Sequence, residues 1–546
     1  LADAISWQQK SVRNCQTDDM IKAMGIRDLA STQGDGQVYY HVLDDIEATI
    51  DRPSLHYAGL KVAAAMEKAE RSLLTYRDSL DSDISIELTT PFGKIALFSR
   101  DFDNEKLPRQ FRSFQKPASR KMMSYDASDC LLIVDFGRDI AYHGSVAAAI
   151  NLTNPISALI DLAGDDVYGD SVHQSAPSAG VGLLGIGILL DSEGDDQYYG
   201  TTYAQGAGLF GIGALLDRSG NDRYQAEVSA QGCGYFGIGL CFDGTGDDEF
   251  YLYGDGQGMG GVGGGVGVLA SFSGNDKYTA EPFADRFDRG DYHSEHKING
   301  NAAQGVGFGR RGDGSDGHAW AGGLGAIIDI EGNDHYLSGN WSLGVGYWFA
   351  TGIVVDRSGD DIYESCYFTQ ASGAHYCNGI LIDEGGNDKH ELYETAGAAL
   401  GFGWDYTNAL LINIGGDDIY RAKMISIGLA QIRSVAFLID IGGDDRYFLG
   451  KGTPGLGEAS WRAGYDRPLQ SYAYNSYSRS FGGFIDIGGH DIYRQFTDST
   501  ETDHPYASDR SLWLRPAKSD SLFGDNNFGV GIDIDSGFIP ELTKWE

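Results

Sequence analysis

Residues 189–198 read LLDSEGDDQY, and this ten-residue stretch decides the fold because it returns along most of the chain. The pattern apolar-apolar-Asp-x-x-Gly-(Asp/Asn)-Asp-x-Tyr occurs as LIDLAGDDVY ending at Tyr168 and as LLDRSGNDRY ending at Tyr224. A degenerate copy, IVDFGRDIAY, ends at Tyr142. Further copies surround Asp243, Ser271, Asp329, Asp356, Asp383, Asn413, Asp440 and Asp486. Counted from Asp135 at the first Asp position, the steps are 26, 30, 26, 26, 28, 58, 27, 27, 30, 27 and 46 residues. Self-similarity at this period, in units too short to bury a face alone, predicts a mainly β chain. The expected fold is a parallel β-solenoid of about twelve coils of 26–30 residues each.

The two long steps are expected to be insertions at coil corners rather than missing coils. Loops are placed at 280–302, 309–321 and 458–478. Residues 1–82 differ in character, because 54–80 is rich in Ala, Leu, Lys and Glu with apolar residues at helical spacing. A helix is expected there and another within 4–30, as a cap on the first coil or a cover along the sheet. The stretch ISIELTTPFGKIALFS at 84–99 reads as the start of the sheet. The solenoid is thus assigned to 83–494, and 495–546 is assigned as a C-terminal cap.

Strand alternation makes a specific prediction about facing. Ile186, Ile188, Leu190, Ile212, Ala214 and Leu216 stand one, three and five residues before an Asp, and are expected to face the core. The opposite parity carries glycines and one apolar residue per coil: Leu189, Leu215, Leu269, Ile327, Val354, Leu381, Leu411, Leu438 and Phe484. A flat glycine surface bearing such a column is expected to be covered, by the N-terminal segment, by a partner protein or by another copy. The alternative is that corner curvature turns both parities inward. Trp461 and Tyr465, in the Arg- and Tyr-rich loop 458–478, are further candidates for partner contact.

Stacking the coils puts the motif aspartates in two columns. One holds Asp161, Asp191, Asp217, Asp243, Asp329, Asp356, Asp383 and Asp440; the other holds Asp166, Asp196, Asp222, Asp248, Asp334, Asp361, Asp388 and Asp445. Two carboxylates about 5 Å apart repel by about 3 kcal/mol at an effective dielectric of 20. Two mechanisms relieve this. Each Asp could accept N–H bonds from its own turn, or cations could lie between coils, for which calcium and its preference for oxygen ligands is the candidate cofactor. The Tyr column (Tyr142, Tyr168, Tyr198, Tyr224, Tyr278, Tyr336, Tyr363, Tyr420, Tyr447, Tyr493) reads as a stacked ladder, with an exposed sugar-binding stripe as the alternative.

The strings IGGDDIY, IGGDDRY and EGGNDKH, with paired glycines at 385–386, 415–416 and 442–443, resemble the calcium-binding nonapeptide repeats of secreted RTX proteins. That resemblance covers one corner per coil and implies a parallel β-roll wound around calcium. In architecture alone the chain also resembles the parallel β-helix polysaccharide lyases and hydrolases.

The chain has 546 residues, 78 of them Gly and only 12 Pro, with a formal net charge of −37. That charge disfavours nucleic acid and anionic membranes. No apolar run reaches the ~18–20 residues of a membrane span. The chain begins at Leu1 rather than at methionine, so it is either an excised piece of a longer chain or a processed product with its export signal removed, and the expected location is secreted, periplasmic or cell surface. Six cysteines are too few for a disulfide scaffold of this size. A nucleophile elbow, a phosphate loop and zinc spacing are absent from the sequence. In loop 280–302 the string DYHSEH at 291–296 holds metal-ligand atoms without zinc-motif spacing. The expected function is an exported structural or interaction solenoid, calcium-stabilised, that assembles with partner subunits or with itself. A carbohydrate-binding or polysaccharide-degrading enzyme using the loop edge is the second reading.

Overall fold

The structure, a computed structural model, describes residues 2–11, 40–77, 84–99, 122–151, 153–169, 177–283, 285–287, 289–290, 297–312, 317–460, 479–514 and 528–535. It is mainly β, with parallel strands stacked coil upon coil as a β-solenoid. The chain forms two compact units, Leu1–Leu252 with Val268–Ser271, and Tyr253–Gly267 with Phe272–Glu546.

In the first unit the strands preceding the motif stack in parallel, one per coil: Gly93–Phe98, Cys130–Asp135, Ile156–Asp161, Ile186–Leu190, Ile212–Leu216 and Ile238–Phe242. Ser85–Thr90 closes this sheet as an antiparallel hairpin on Gly93–Phe98, so 84–99 does open the sheet. In the second unit the corresponding strands are Leu324–Ile328, Thr351–Asp356, Asn378–Asp383, Asn408–Ile414, Val435–Ile441, Phe481–Ile487 and Phe528–Ile534. Their register sets Asp356, Asp383, Asn413, Asp440, Asp486 and Asp533 side by side. A second wall carries the tyrosines, as in Gln197–Tyr199 on Arg223–Gln225, and short strands such as Gly208–Leu209 form a third. The long steps are insertions: Val435–Ile441 pairs directly with Phe481–Ile487, and Lys277 with His335.

The tail differs from expectation. Glu501–Asp503 and Leu512–Leu514 fold back antiparallel as a cap should, but Phe528–Ile534 is a further parallel strand. The repetition thus runs past 494. The copy at Asp533 is hidden in the sequence because FGVGIDIDSG lacks the Gly-Asp-Asp-x-Tyr half of the motif.

The predicted facing is reversed. Leu189, Leu215, Leu269, Ile327, Val354, Leu381, Leu411, Leu438 and Phe484 are completely buried inside their own coils and are unavailable to a partner. The glycines between them face inward for a steric reason. A Cβ on Gly187 would lie 2.0 Å from the Val181 carbonyl oxygen, and one on Gly213 2.0 Å from that of Ala207. The third wall lies too close for any side chain there. Ile186, Ile188, Ile212 and their equivalents point outward instead.

In the first unit that outward row is covered by helix. Three helices are described, α1 (Ala2–Ser11), α2 (Tyr40–Thr49) and α3 (Arg52–Leu74). Asp51 caps α3 by accepting the Ser54 N–H (3.2 Å). Its buried residues Leu55, Ala58, Gly59, Val62, Met66 and Glu70 recur at helical spacing. At Gly59 the helix passes over Ile212, whose Cδ1 would be 2.4 Å from an added Cβ. Glu70, 5% exposed, accepts from Arg218 (Nη2–Oε2 3.2 Å) and fixes the far end. The helical region therefore lies along the sheet, on the aliphatic rather than the glycine parity. No described helix is long and apolar enough to cross a membrane.

Candidate metal centre

The motif corner holds three columns with three different jobs. The first Asp of each coil ends its strand fully buried, and its Oδ2 accepts a tyrosine hydroxyl. At most coils that tyrosine comes from the preceding coil: Tyr198 bonds to Asp217 (2.5 Å), Tyr224 to Asp243 (2.5 Å), Tyr278 to Asp329 (2.6 Å), Tyr336 to Asp356 (2.8 Å), Tyr363 to Asp383 (2.7 Å) and Tyr420 to Asp440 (2.7 Å), whereas Asp135 and Asp486 accept from Tyr142 and Tyr493 of their own coils (3.0 and 3.1 Å). The rings themselves are buried and stacked, for instance at 4.7 Å for Tyr198 and Tyr224 and 4.9 Å for Tyr336 and Tyr363. The Tyr column is therefore an internal ladder, and the sugar-binding stripe is excluded by burial.

The second Asp column clasps neighbouring coils. Asp196 Oδ1 accepts the Asp166 N–H (2.5 Å), Asp222 Oδ1 that of Asp196 (2.6 Å), and Asp388 Oδ1 that of Asp361 (2.8 Å). The middle residue of the motif forms an exposed ladder in the opposite sense. Asp195 Oδ1 accepts the Asn221 N–H (2.9 Å), and Asp444 Oδ1 that of His490 (2.8 Å). The motif glycine is required by the closeness of the stack. A Cβ on Gly220 would sit 1.8 Å from the Gly194 carbonyl oxygen. The turn-capping reading holds at some first-position residues: the Oδ1 of Asp135, Asp217 and Asp383 accepts the N–H of Gly137, Ser219 and Gly385.

What remains is a set of buried oxygens with no donor. They include Oδ1 of Asp161, Asp191, Asp329, Asp356, Asp440 and Asp486, and Oδ2 of Asp166, Asp196, Asp222, Asp334, Asp361, Asp418, Asp445 and Asp491. Carboxylate oxygens of Asp161, Asp166 and Asp191 lie within 4.8 Å of one another. So do those of Asp191, Asp196 and Asp217; of Asp217, Asp222 and Asp243; of Asp276, Asp329 and Asp334; and of Asp334, Asp356 and Asp361. Burial, then repulsion from neighbouring aspartates, pushes the carboxyls of Asp161, Asp217 and Asp329 well above the usual carboxylate range. These triads are what the geometry offers a metal: hard oxygen ligands, sealed from water. Comparison with protein-family models, curated proteins and solved structures gives no match.

Two coils break the pattern in a coupled way. Phe250 takes the tyrosine place, stacked 4.4 Å from Tyr224, and Ser271 takes the aspartate place of the following coil. His390 takes the tyrosine place between Tyr363 and Tyr420 (4.6 and 4.9 Å), and Asn413 takes the next aspartate place. Burial lowers the His390 pKa to about 3, so the ring is neutral. Wherever the hydroxyl is lost, the carboxylate it would serve is lost too. The signal was in the sequence, but reading it needed the knowledge that a tyrosine such as Tyr224 or Tyr363 reaches one coil onward. Sequence reasoning also omitted Asp276, Asp418, Asp486, Asp491 and Asp533, which join the same columns.

Of the other sequence candidates, Trp461, Tyr465 and the whole of 461–478 lie outside the described residues, as does 291–296. The described part of loop 280–302 is pinned to its own unit by Arg289, whose Nη1 donates to Asp255 Oδ1 (2.7 Å). Loop 309–321 is held by buried Arg310, which pairs backbone to backbone with Trp320 (2.9 Å). His490 is a member of the exposed ladder. The paired carboxylates of the corner are shut inside the coils.

Proposed function

We propose that the chain is a structural solenoid that self-assembles through the outward sheet face of its second unit. The observation that carries this is a continuous apolar surface where the first unit has a helix. Ile353 and Val355, Ile380 and Ile382, Leu410 and Ile412, Phe437 and Ile439 all project outward and are half-buried, with Ile485 and Ile532 continuing the row. Val435, Ile414 and Ile441 at its margins are exposed by 39–40%. Water-facing strands place polar residues at such positions.

Seven strands at ~4.8 Å span about 29 Å, and four outward residues per strand span about 20 Å, or roughly 600 Å². Two such faces related by a two-fold axis bury about 1,200 Å², the lower bound for a stable pair. Flat sheets pack face to face about 10 Å apart, which suits interdigitating Ile and Val. A second copy carries the same face by construction.

The test is sedimentation equilibrium of the full chain across a concentration series in 0.15 M salt. A dimer is expected, with Ile412→Lys together with Ile439→Lys returning it to monomer without change in its far-ultraviolet spectrum. A wild-type chain that stays monomeric up to 100 µM, about a hundred times a micromolar Kd, removes the proposal.

A further inference from the structure

The corner aspartates pose a problem of neutralisation that the tyrosines solve only in part. Each regular coil buries two carboxyl groups, and the groups facing them are other aspartates. The tyrosine serves Oδ2 of the first Asp and the neighbouring N–H serves Oδ1 of the second. At most regular coils one oxygen of each is left bare, as at Asp191 Oδ1 and Asp196 Oδ2, while Asp217 and Asp383 turn Oδ1 to their own corner N–H. A buried carboxylate oxygen without a donor costs several kcal/mol unless something positive meets it.

The protein itself shows what that place requires. At Asn413 an amide stands in the first-Asp position, and its Nδ2 turns to Asp388 Oδ2 of the preceding coil (3.4 Å). Asp388 is accordingly missing from the set of bare oxygens, while Asp361 and Asp418, one coil to either side, belong to it. The space between the second Asp of one coil and the first Asp of the next thus takes a positively polarised group. Everywhere else along the regular coils that space is bordered by carboxylates.

We propose that calcium ions occupy these spaces, each held by the second Asp of one coil and the first Asp of the next, with the third carboxylate coming from the first Asp of the earlier coil in triads such as Asp191–Asp196–Asp217 and from the second Asp of the later coil in triads such as Asp334–Asp356–Asp361. One divalent ion per regular coil balances the two carboxylates of that coil. A shared proton bridges only two oxygens and cancels one charge, so it leaves the third carboxylate of a triad unmet. The ligands are oxygen only, the donor set of a hard cation. The tyrosine hydroxyls act one step out on the first Asp of a coil, and the neighbouring N–H on the second, each fixing a ligating carboxylate through its other oxygen. Because the triads are sealed, an ion enters as its coils close. The coils carrying Ser271 and Asn413 have lost a ligand and interrupt the file. This reading is independent of the assembly face.

The experiment counts metal in the full chain, exhaustively dialysed against metal-free buffer, by plasma mass spectrometry. Several calcium ions per chain are expected. Asp217→Asn, which belongs to two triads, lowers the count by at least one. His390→Tyr combined with Asn413→Asp rebuilds the regular motif and raises the count by one, an outcome that a misfolded variant cannot mimic. Terbium present while the chelator-stripped chain refolds reports the same sites, since the buried tyrosines sensitise its emission and excess calcium in the refolding buffer abolishes it. A metal-free wild-type chain overturns the proposal, as does a count unmoved by both variants.

Discussion

Replacing Tyr198 by Phe removes one oxygen from the centre of the first unit and nothing else from its outline. The Tyr198 hydroxyl is 2.5 Å from Asp217 Oδ2, and both side chains are almost fully buried. A hydrogen bond to a charged acceptor contributes about 1.5–3 kcal/mol, and the acceptor left behind has no water to turn to. The single change is therefore expected to cost about 2–3 kcal/mol, a fall in Tm of roughly 5–10 °C for a unit of this size. Asp217→Asn alone is also expected to destabilise, because it replaces an acceptor tuned to that hydroxyl. The chain's own substitutions, Phe250 with Ser271 and His390 with Asn413, predict that the two changes together cost less than their sum, with a coupling of about 1.5 kcal/mol or more. Scanning calorimetry gives the four melting points of the cycle. Hydrogen exchange at 190–225 shows whether the loss is local. Strict additivity within about 0.5 kcal/mol refutes the pairing of hydroxyl and carboxylate across coils.

Raised carboxyl pKa values give the metal-free chain a pH dependence of definite sign. Burial lifts Asp222 and Asp445 to about 8, so the folded chain holds protons that the unfolded chain releases near pH 4. That stability is complete below about pH 4 and is lost as pH rises toward 8, by about 1.4 kcal/mol per pH unit for each retained proton. In chelator the Tm is expected to fall between pH 5 and 8, and added calcium to flatten the fall; a flat profile in chelator counts against buried neutral carboxyls. Gly220→Ala pushes a Cβ into the Gly194 carbonyl and is expected to abolish folding or cost more than about 3 kcal/mol, whereas Gly415→Ala, with φ +80° and open space, is expected to cost about 1 kcal/mol. Equal melting points for the two variants contradict the close-stack account. Glu70→Ala leaves the Arg218 guanidinium without its buried partner and is expected to loosen α3, read as at least a tenfold loss of amide protection across 60–74.

The coil length, the corner motif and the N-terminal helix were legible because each is written in local spacing. The insertions were legible too, since a step of 58 or 46 residues with intact flanking copies leaves no other arrangement in a stacked array. The facing of the strands was not. Alternating glycine reads as an outer surface awaiting a cover, yet Gly187 and Gly213 are glycines because the opposite wall of a thin coil occupies the place of their side chains. Only the three-dimensional closeness of that wall tells a crowded interior from a bare exterior. The metal candidates were placed in the right columns by spacing alone. Which oxygens stay bare and which cap a turn depends on which N–H each carboxylate meets, and the sequence does not carry that information.

The two aspartate ladders run in opposite senses, the inner one reaching back to the preceding coil and the outer one taking a bond from the following coil. Every boundary between regular coils within a unit is thus fastened twice by the same pair of clasps. Under tension such a chain has no preferred breaking plane among its regular coils. It should peel one turn at a time, each event releasing about 27 residues, or roughly 90 Å of contour. At Asn413 both clasps persist, and what is missing is the tyrosine–carboxylate bond inside them, so peeling within the second unit is expected to start there. A solenoid of this kind behaves less as a rigid strut than as a shock absorber, yielding in equal increments and dissipating load turn by turn.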